Sequence, residues 1–124
     1  MQQLTEQLDA AAAGLLVISE SEAPLLVCTL EGREETESAL RRLCGQPDDA
    51  PVEIQDALAF LQKQENIYAG QPEAGRFRQL SALLSTHLPD MQLYRVGSIR
   101  IDAFLLATLP DGTRIGLRTV LVET

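Results

Sequence analysis

The sequence has no tryptophan, one histidine, one lysine and two cysteines among its 124 residues. Cys28 and Cys44 form no CxxC motif, and together with His87 they are too few for a structural zinc site, which normally takes four ligands. We expect both cysteines to be buried free thiols in a reducing compartment, with a disulfide as the minor alternative. His87 lies near the predicted end of a helix, which favours a capping or surface role over that of a general base.

Long apolar runs and the common catalytic motifs are also absent. No apolar run is long enough to span a bilayer, and residues 1–9 carry acidic and amide groups where a secretory signal needs a basic flank. The sequence contains no glycine-rich phosphate loop, no HExxH motif and no nucleophile elbow. We therefore predict a cytoplasmic protein with no membrane partner, no cofactor, no metal of its own and no enzymatic activity.

Basic residues are in the minority, with 10 bases against 18 acids and a formal net charge of −8. Affinity for nucleic acid comes mainly from lysine and arginine, so we expect no direct binding to it. An acidic surface attracts a basic partner and speeds their encounter. Solubility alone would also account for the charge.

The length and the hydrophobic content of 45% predict a single domain over residues 1–124. Helical spacing of apolar residues predicts helices over residues 4–13, 34–43 and 73–88, and Gly14 suits the left-handed cap of the first. An extended piece and then a short helix are predicted within residues 52–61, and residues 65–72 have the composition of a loop.

Strands are predicted over residues 25–30, 92–96, 99–109 and 113–123. Gly97-Ser98 is a candidate tight turn and Pro110-Asp111-Gly112 a candidate hairpin turn. Parts of these strands are apolar on both faces, which requires layers on both sides of the sheet. The predicted fold class is therefore α+β, an α-β-α sandwich with a mainly antiparallel sheet, whose strand order the pattern does not give.

Two polar segments are candidate functional sites. The segment Ser19-Glu20-Ser21-Glu22 is interpreted first as a connection between a helix and a strand, with local serine hydrogen bonds. It could also supply a carboxylate pair for acid–base chemistry, or a carboxylate that ligates the Mg²⁺ of a partner. The segment Val120–Thr124 ends the sequence in a predicted strand, which would hold the terminal carboxylate in place as a fixed anion.

An ordered set of motifs resembles the nuclease A inhibitor family over nearly the whole chain. The segments that carry the resemblance are Gly14-Leu15-Leu16, Ser19-Glu20-Ser21-Glu22 with Pro24, Asp49-Ala50-Pro51, Tyr94-Arg95-Val96-Gly97, Ile101-Asp102, Pro110 and Val122-Glu123-Thr124. The family inhibits a non-specific DNA/RNA endonuclease with a ββα-metal active site. Its α-β-α fold is similar to that of plant pathogenesis-related proteins.

The resemblance also implies which residues contact the partner. Glu20 matches the family glutamate that approaches the catalytic Mg²⁺ of the nuclease, and Thr124 matches the C-terminal threonine that reaches the active site. Glu22 is a weaker candidate. A family tryptophan is replaced here by Ile67, beside Tyr68, and these two are expected to form an apolar contact at the rim. The acidic surface would then occupy the nuclease groove as a mimic of DNA.

Two other function classes remain open from the sequence. A small carboxylate-based hydrolase would use Glu20 and Glu22, although no basic residue or histidine lies near them in the sequence. The absent tryptophan favours the other alternative, a scaffold of the same family that binds a different protein or ligand.

Overall fold

An antiparallel sheet of five strands organises the molecule. The computed structural model describes residues 2–124, so Met1, the first residue of the predicted domain, lies outside the described residues. In chain order the strands are β1 (Leu16–Ile18), β2 (Glu22–Pro24), β3 (Leu26–Leu30), β4 (Val52–Asp56), β5 (Gln92–Val96), β6 (Arg100–Thr108) and β7 (Arg114–Val122). The sheet has the order β3-β7-β6-β5-β4, whereas β1 and β2 pair with each other as a separate hairpin.

Helices cover both faces of the sheet. They are α1 (Gln2–Ala12), α2 (Thr36–Leu43), α3 (Ala57–Ile67) and α4 (Pro72–His87). The larger hydrophobic cluster joins α1, α3 and α4 to one face, through residues such as Leu8, Leu61 and Phe77. The smaller cluster joins α2 to the opposite face through Leu40 and Phe104. This arrangement confirms the predicted α+β class, with a helical layer on each side of the sheet.

The central strand β6 shows why both layers are needed. Residues 101–107 are all buried, so neither face of this strand meets solvent. Ile101 and Leu105 pack into the larger cluster, and Phe104 and Leu106 pack into the smaller one. The prediction that parts of the strands are apolar on both faces agrees with this division. The predicted strand began at Ile99, but Ile99 lies before β6 and is 61% exposed.

The structure departs from the prediction in two segments. The hairpin of β1 and β2 was not predicted, because strands of three residues give too short an alternation to recognise. The segment Ser19–Glu22, expected to connect a helix to a strand, instead includes the turn of this hairpin. Helix α3 runs to Ile67, so the predicted loop over residues 65–72 is shortened to four residues between helices. Burial of Leu61 and Gln64 holds the last turns of α3 in place.

The cysteines and the histidine lie in different environments. Cys28 is buried and free, as predicted, whereas Cys44 is free but only half-buried, which corrects the expectation that both would be buried. Burial raises the pKa of both thiols. His87 is exposed in the last turn of α4, in agreement with the predicted surface position. Among residues 2–124, no helix is long and apolar enough to cross a membrane.

Candidate functional site

Ser19 and Ser21 give the turn between β1 and β2 its shape. The Ser19 amide donates to the Ser21 carbonyl at 2.8 Å, and the Ser21 amide donates to Ser19 Oγ at 3.3 Å. Serine side chains commonly close turns in this way, because the hydroxyl reaches its own neighbouring backbone. Glu20 therefore occupies the middle of a turn that is fixed on both sides.

The final strand of the sheet holds this turn in position. The Glu20 amide donates to the Val122 carbonyl at 3.2 Å, and the Val122 amide donates to Ser19 Oγ at 3.0 Å. Glu123, one residue on, points its amide the opposite way, to the Ile99 carbonyl at 2.9 Å. Successive residues of an extended chain alternate in this manner. Residues 122 and 124 consequently face the turn that carries Glu20.

Thr124 binds the side chain of Glu20 with two donors. Its backbone N–H lies 2.6 Å from Glu20 Oε2, and its hydroxyl lies 2.7 Å from Glu20 Oε1. These hydrogen bonds, the hydroxyl first, lower the pKa of the Glu20 carboxyl below its ordinary value. The carboxylate stays exposed. Each of its oxygens has more than one lone pair, so it can still accept a bond from outside.

Glu22 and Thr124 have different surroundings. Glu22 is an exposed residue of β2, opposite Ile18 in the hairpin. Its charge is close enough to Tyr68 to raise the pKa of that phenol, after the larger effects of burial and of Glu73. Thr124 was predicted as a second anion through its terminal carboxylate. The structure adds a function that the sequence did not indicate, since its N–H and hydroxyl hold Glu20.

Gln64 of helix α3 and Tyr68, the residue that follows the helix, hydrogen-bond to the backbone of the hairpin. Gln64 is only 2% exposed; it accepts from the Ile18 amide at 2.8 Å and donates to the Ile18 carbonyl at 3.0 Å. The Tyr68 hydroxyl donates to the Leu16 carbonyl at 2.6 Å. Four residues of helix rise about 6 Å, close to the span of two residues of strand. Gln64 and Tyr68 thus satisfy the open edge of β1.

This support corrects the expected position of Tyr68. Its side chain is 9% exposed and its ring stacks on Phe77 at 5.6 Å, so it lies in the core rather than at a rim. Ile67 is the neighbour that reaches solvent, with 43% of its surface exposed. Of the two residues expected at the rim, Ile67 is therefore the one available to a partner.

An open groove of about 690 Å³ lies beside Glu20, between α3 and the end of β7. Phe60 and Lys63 border it from α3, and Arg95 and Glu123 border it from the sheet. Arg95 Nη2 lies 2.6 Å from Glu123 Oε1, and the Arg95 side chain is 15% exposed. No sequence pattern predicted this groove, because its walls are distant along the chain. The nearest signal was Arg95 within the Tyr94–Gly97 motif.

Neither a cluster of metal ligands nor His87 lies beside Glu20 in the described part of the chain. Within residues 2–124, no group of three or more His, Cys, Asp or Glu side chains is placed to hold a metal ion. His87 lies beside Thr108 at one end of β6, whereas Glu20 bonds to Val122, which pairs with Arg100 at the other end. At roughly 3.3 Å per residue, these ends are about 26 Å apart.

The fold and the site define a small acidic α-β-α protein that presents a rigidly held, ionised carboxylate at the end of its sheet. A match to the family described as Nuclease A inhibitor-like protein covers residues 2–124, and the chain belongs to that family. This confirms the resemblance inferred from the motifs and supports a role as a nuclease inhibitor. The comparison with curated proteins gave no match.

Proposed function

We propose that this protein inhibits a metal-dependent, sugar-non-specific nuclease of the ββα-metal class by covering its active site. Membership of the inhibitor family supports a nuclease as the partner. The observation that carries the mechanism is the Glu20 carboxylate, which is exposed, ionised and held by both donors of Thr124.

In this mechanism Glu20 takes the place of the scissile phosphate. Its carboxylate meets the catalytic Mg²⁺ of the nuclease directly or through one of the metal's waters, since Mg²⁺ prefers oxygen ligands. The lowered pKa keeps the carboxylate charged in mildly acidic solution. Because Thr124 already orders the side chain in the free protein, binding loses less conformational entropy.

Other features extend the proposed interface. Thr124 lies beside Glu20 in this interface, and Ile67 makes an apolar contact at the rim. The net charge of −8 lets the surface stand in for DNA against a basic groove, with no nucleic acid bound by the inhibitor itself. The free thiols of Cys28 and Cys44 fit a cytoplasmic location, and the inhibitor needs no metal or cofactor of its own.

One observation favours the alternative of a family scaffold with another partner. The sequence has no tryptophan, and Ile67, expected to take its place, is exposed, whereas aromatic residues often dominate binding energy. A hydrolase is less well supported. Glu20 hydrogen-bonds to Thr124, whereas the charge of Glu22 raises the pKa of Tyr68, so the two carboxylates have different neighbours. His87 lies at the far end of β6.

The proposal is tested by titrating a ββα-metal nuclease with the purified protein in Mg²⁺. We expect activity on both DNA and RNA to fall to zero at one inhibitor per nuclease, and a metal-independent ribonuclease to be unaffected. The association rate should fall as salt increases, because the attraction is screened. Full nuclease activity at a large excess of the protein contradicts the proposed function.

A further inference from the structure

The groove beside Glu20 is large enough to take a side chain from another molecule. Its volume of about 690 Å³ lies within the range typical of ligand sites. Ile18, Phe60 and Leu121 supply apolar surface, and Phe60 is half-buried rather than covered. The groove is continuous with the carboxylate that the proposed function directs at the nuclease, since Glu20 is itself part of the wall.

The charges around the groove favour a cationic occupant. Three carboxylates line it, from Glu20, Asp56 and Glu123, against the two cations Lys63 and Arg95. Arg95 is already paired with Glu123, whose side chain is still 49% exposed. Lys63 takes part in none of the ion pairs found among residues 2–124, and it is exposed on α3.

We propose that this groove receives an arginine or lysine side chain of the nuclease. The inference rests on the proposed function, which brings Glu20 to the active-site metal. A nuclease carries cations around that metal because it binds phosphate backbones. The apolar stem of such a side chain packs against Phe60, and its charged end lies between Glu20 and Glu123.

Lys63 carries the same charge as this occupant and repels it. A change at Lys63 should therefore strengthen or weaken binding according to the sign of the occupant's charge. Reversing its charge with Lys63→Glu adds an attraction for a cation, whereas an acidic occupant would be repelled by the same change. Lys63→Gln removes the charge without replacing it. The position is exposed on the surface of a helix, so both changes should leave the fold intact.

Arg33→Glu is the matched control. It changes the net charge by the same amount, but Arg33 is an exposed residue between β3 and α2, near the start of β7, and the groove lies at the end of β7. A general charge effect should change the association rate in both variants, and only a local contact should change the dissociation rate.

Ala59→Trp tests whether the groove is occupied in the complex, because Ala59 is an exposed groove residue and the indole would fill the space.

The experiment measures association and dissociation rates of each variant with a ββα-metal nuclease in Mg²⁺, after circular dichroism has shown that it is folded. We expect Lys63→Glu to slow dissociation about two- to fivefold, Lys63→Gln to fall between it and wild type, and Arg33→Glu to leave dissociation unchanged. Ala59→Trp should speed dissociation.

Two results overturn the inference while leaving the proposed function standing. If the wild type binds and Lys63→Glu dissociates faster, the occupant is anionic. If the wild type binds and neither Lys63→Glu nor Ala59→Trp changes dissociation, the groove is empty in the complex. If the wild type binds no such nuclease, the proposed function fails and the groove assignment fails with it.

Discussion

At the scale of single residues, the state of Glu20 depends on Thr124. One residue supplies both a backbone and a hydroxyl donor to the carboxylate, at 2.6 and 2.7 Å. A carboxylate that accepts hydrogen bonds holds its proton less tightly, which is why the pKa of Glu20 is lowered. This stabilising effect exists above the ordinary pKa of a glutamate and is lost as the pH falls through the lowered value.

Thr124→Val tests this dependence, because valine keeps the shape of threonine and removes only the hydroxyl. We expect the pKa of Glu20 to rise toward the ordinary glutamate value, and inhibition to be lost at a correspondingly higher pH. Thr124→Ser restores the donor and should restore the pKa. Titration of the Glu20 carboxyl carbon by NMR measures it, and an unchanged pKa in Thr124→Val would show that the hydroxyl does not act on Glu20.

Ile67 is the residue expected to take the place of the family tryptophan. Ile67→Trp places an aromatic side chain on a surface that is already exposed, so folding should be unaffected. An aromatic anchor contributes on the order of 2 kcal/mol, about thirtyfold in affinity for the nuclease. Leu58→Trp is the control, since Leu58 is 44% exposed at the other end of α3. Equal affinities for all three proteins would remove Ile67 from the interface.

At the scale of elements, the hairpin of β1 and β2 depends on helix α3. Two strands of three residues are too short to be stable alone. Gln64 supplies both the acceptor and the donor that the backbone of Ile18 needs, and Gln64 is itself buried. The position of Glu20 is therefore set by a side chain on another element, 46 residues away from Ile18.

Gln64→Leu removes that support at similar volume. It leaves the part-buried amide and carbonyl of Ile18 without their side-chain partner, which costs about 1–3 kcal/mol in all. We expect a lower midpoint in urea and weaker nuclease inhibition from the displaced turn. Gln62→Leu, exposed on the same helix, should change neither. Unaltered stability of Gln64→Leu would mean that β1 holds its place without α3.

Gly116 and Gly75 provide a matched pair of glycines, one in the sheet and one in a helix. A Cβ at Gly116 would overlap the backbone carbonyl of Leu105 on the neighbouring strand, whereas a Cβ at Gly75 in α4 meets nothing within 4 Å. We expect Gly116→Ala to lower stability by about 1–3 kcal/mol, since the backbone must shift. Gly75→Ala should raise stability by up to about 1 kcal/mol. Denaturant unfolding compares them, and equal effects would contradict the close approach of β6 and β7.

At the scale of the whole molecule, the sequence predicted what depends on neighbours along the chain. The apolar pattern of β6 and the periodicity of α4 predicted those elements, and strands apolar on both faces predicted the two helical layers. The sequence pattern could not predict the strand order, the short hairpin or the groove, because they depend on contacts between distant segments. Thr124 and Glu20 are 104 residues apart, and their pairing follows from the position of β7 rather than from any local pattern.

The candidate site was likewise only partly predictable from the sequence. The family motifs pointed to Glu20 and Thr124 as separate contacts with a nuclease, and the structure brings them together as an acceptor and its donors. They also pointed to the position of Ile67 and Tyr68, but burial against Phe77 distinguishes these two residues. Helical spacing from Ala57 and Leu61 would have placed Tyr68 on the buried face, but residues 65–72 were predicted as a loop, so the spacing was not extended to it.

The central claim is that Glu20 is the carboxylate that meets the metal of the nuclease. The most direct measurement compares the inhibition constants of wild type, Glu20→Gln and Glu22→Gln against a ββα-metal nuclease in Mg²⁺. Both variants remove one negative charge from the same hairpin, and both positions are exposed. We predict that Glu20→Gln weakens inhibition roughly thirtyfold to several thousandfold, while Glu22→Gln stays close to wild type. A silent Glu20→Gln, with or without an effect of Glu22→Gln, would contradict the account.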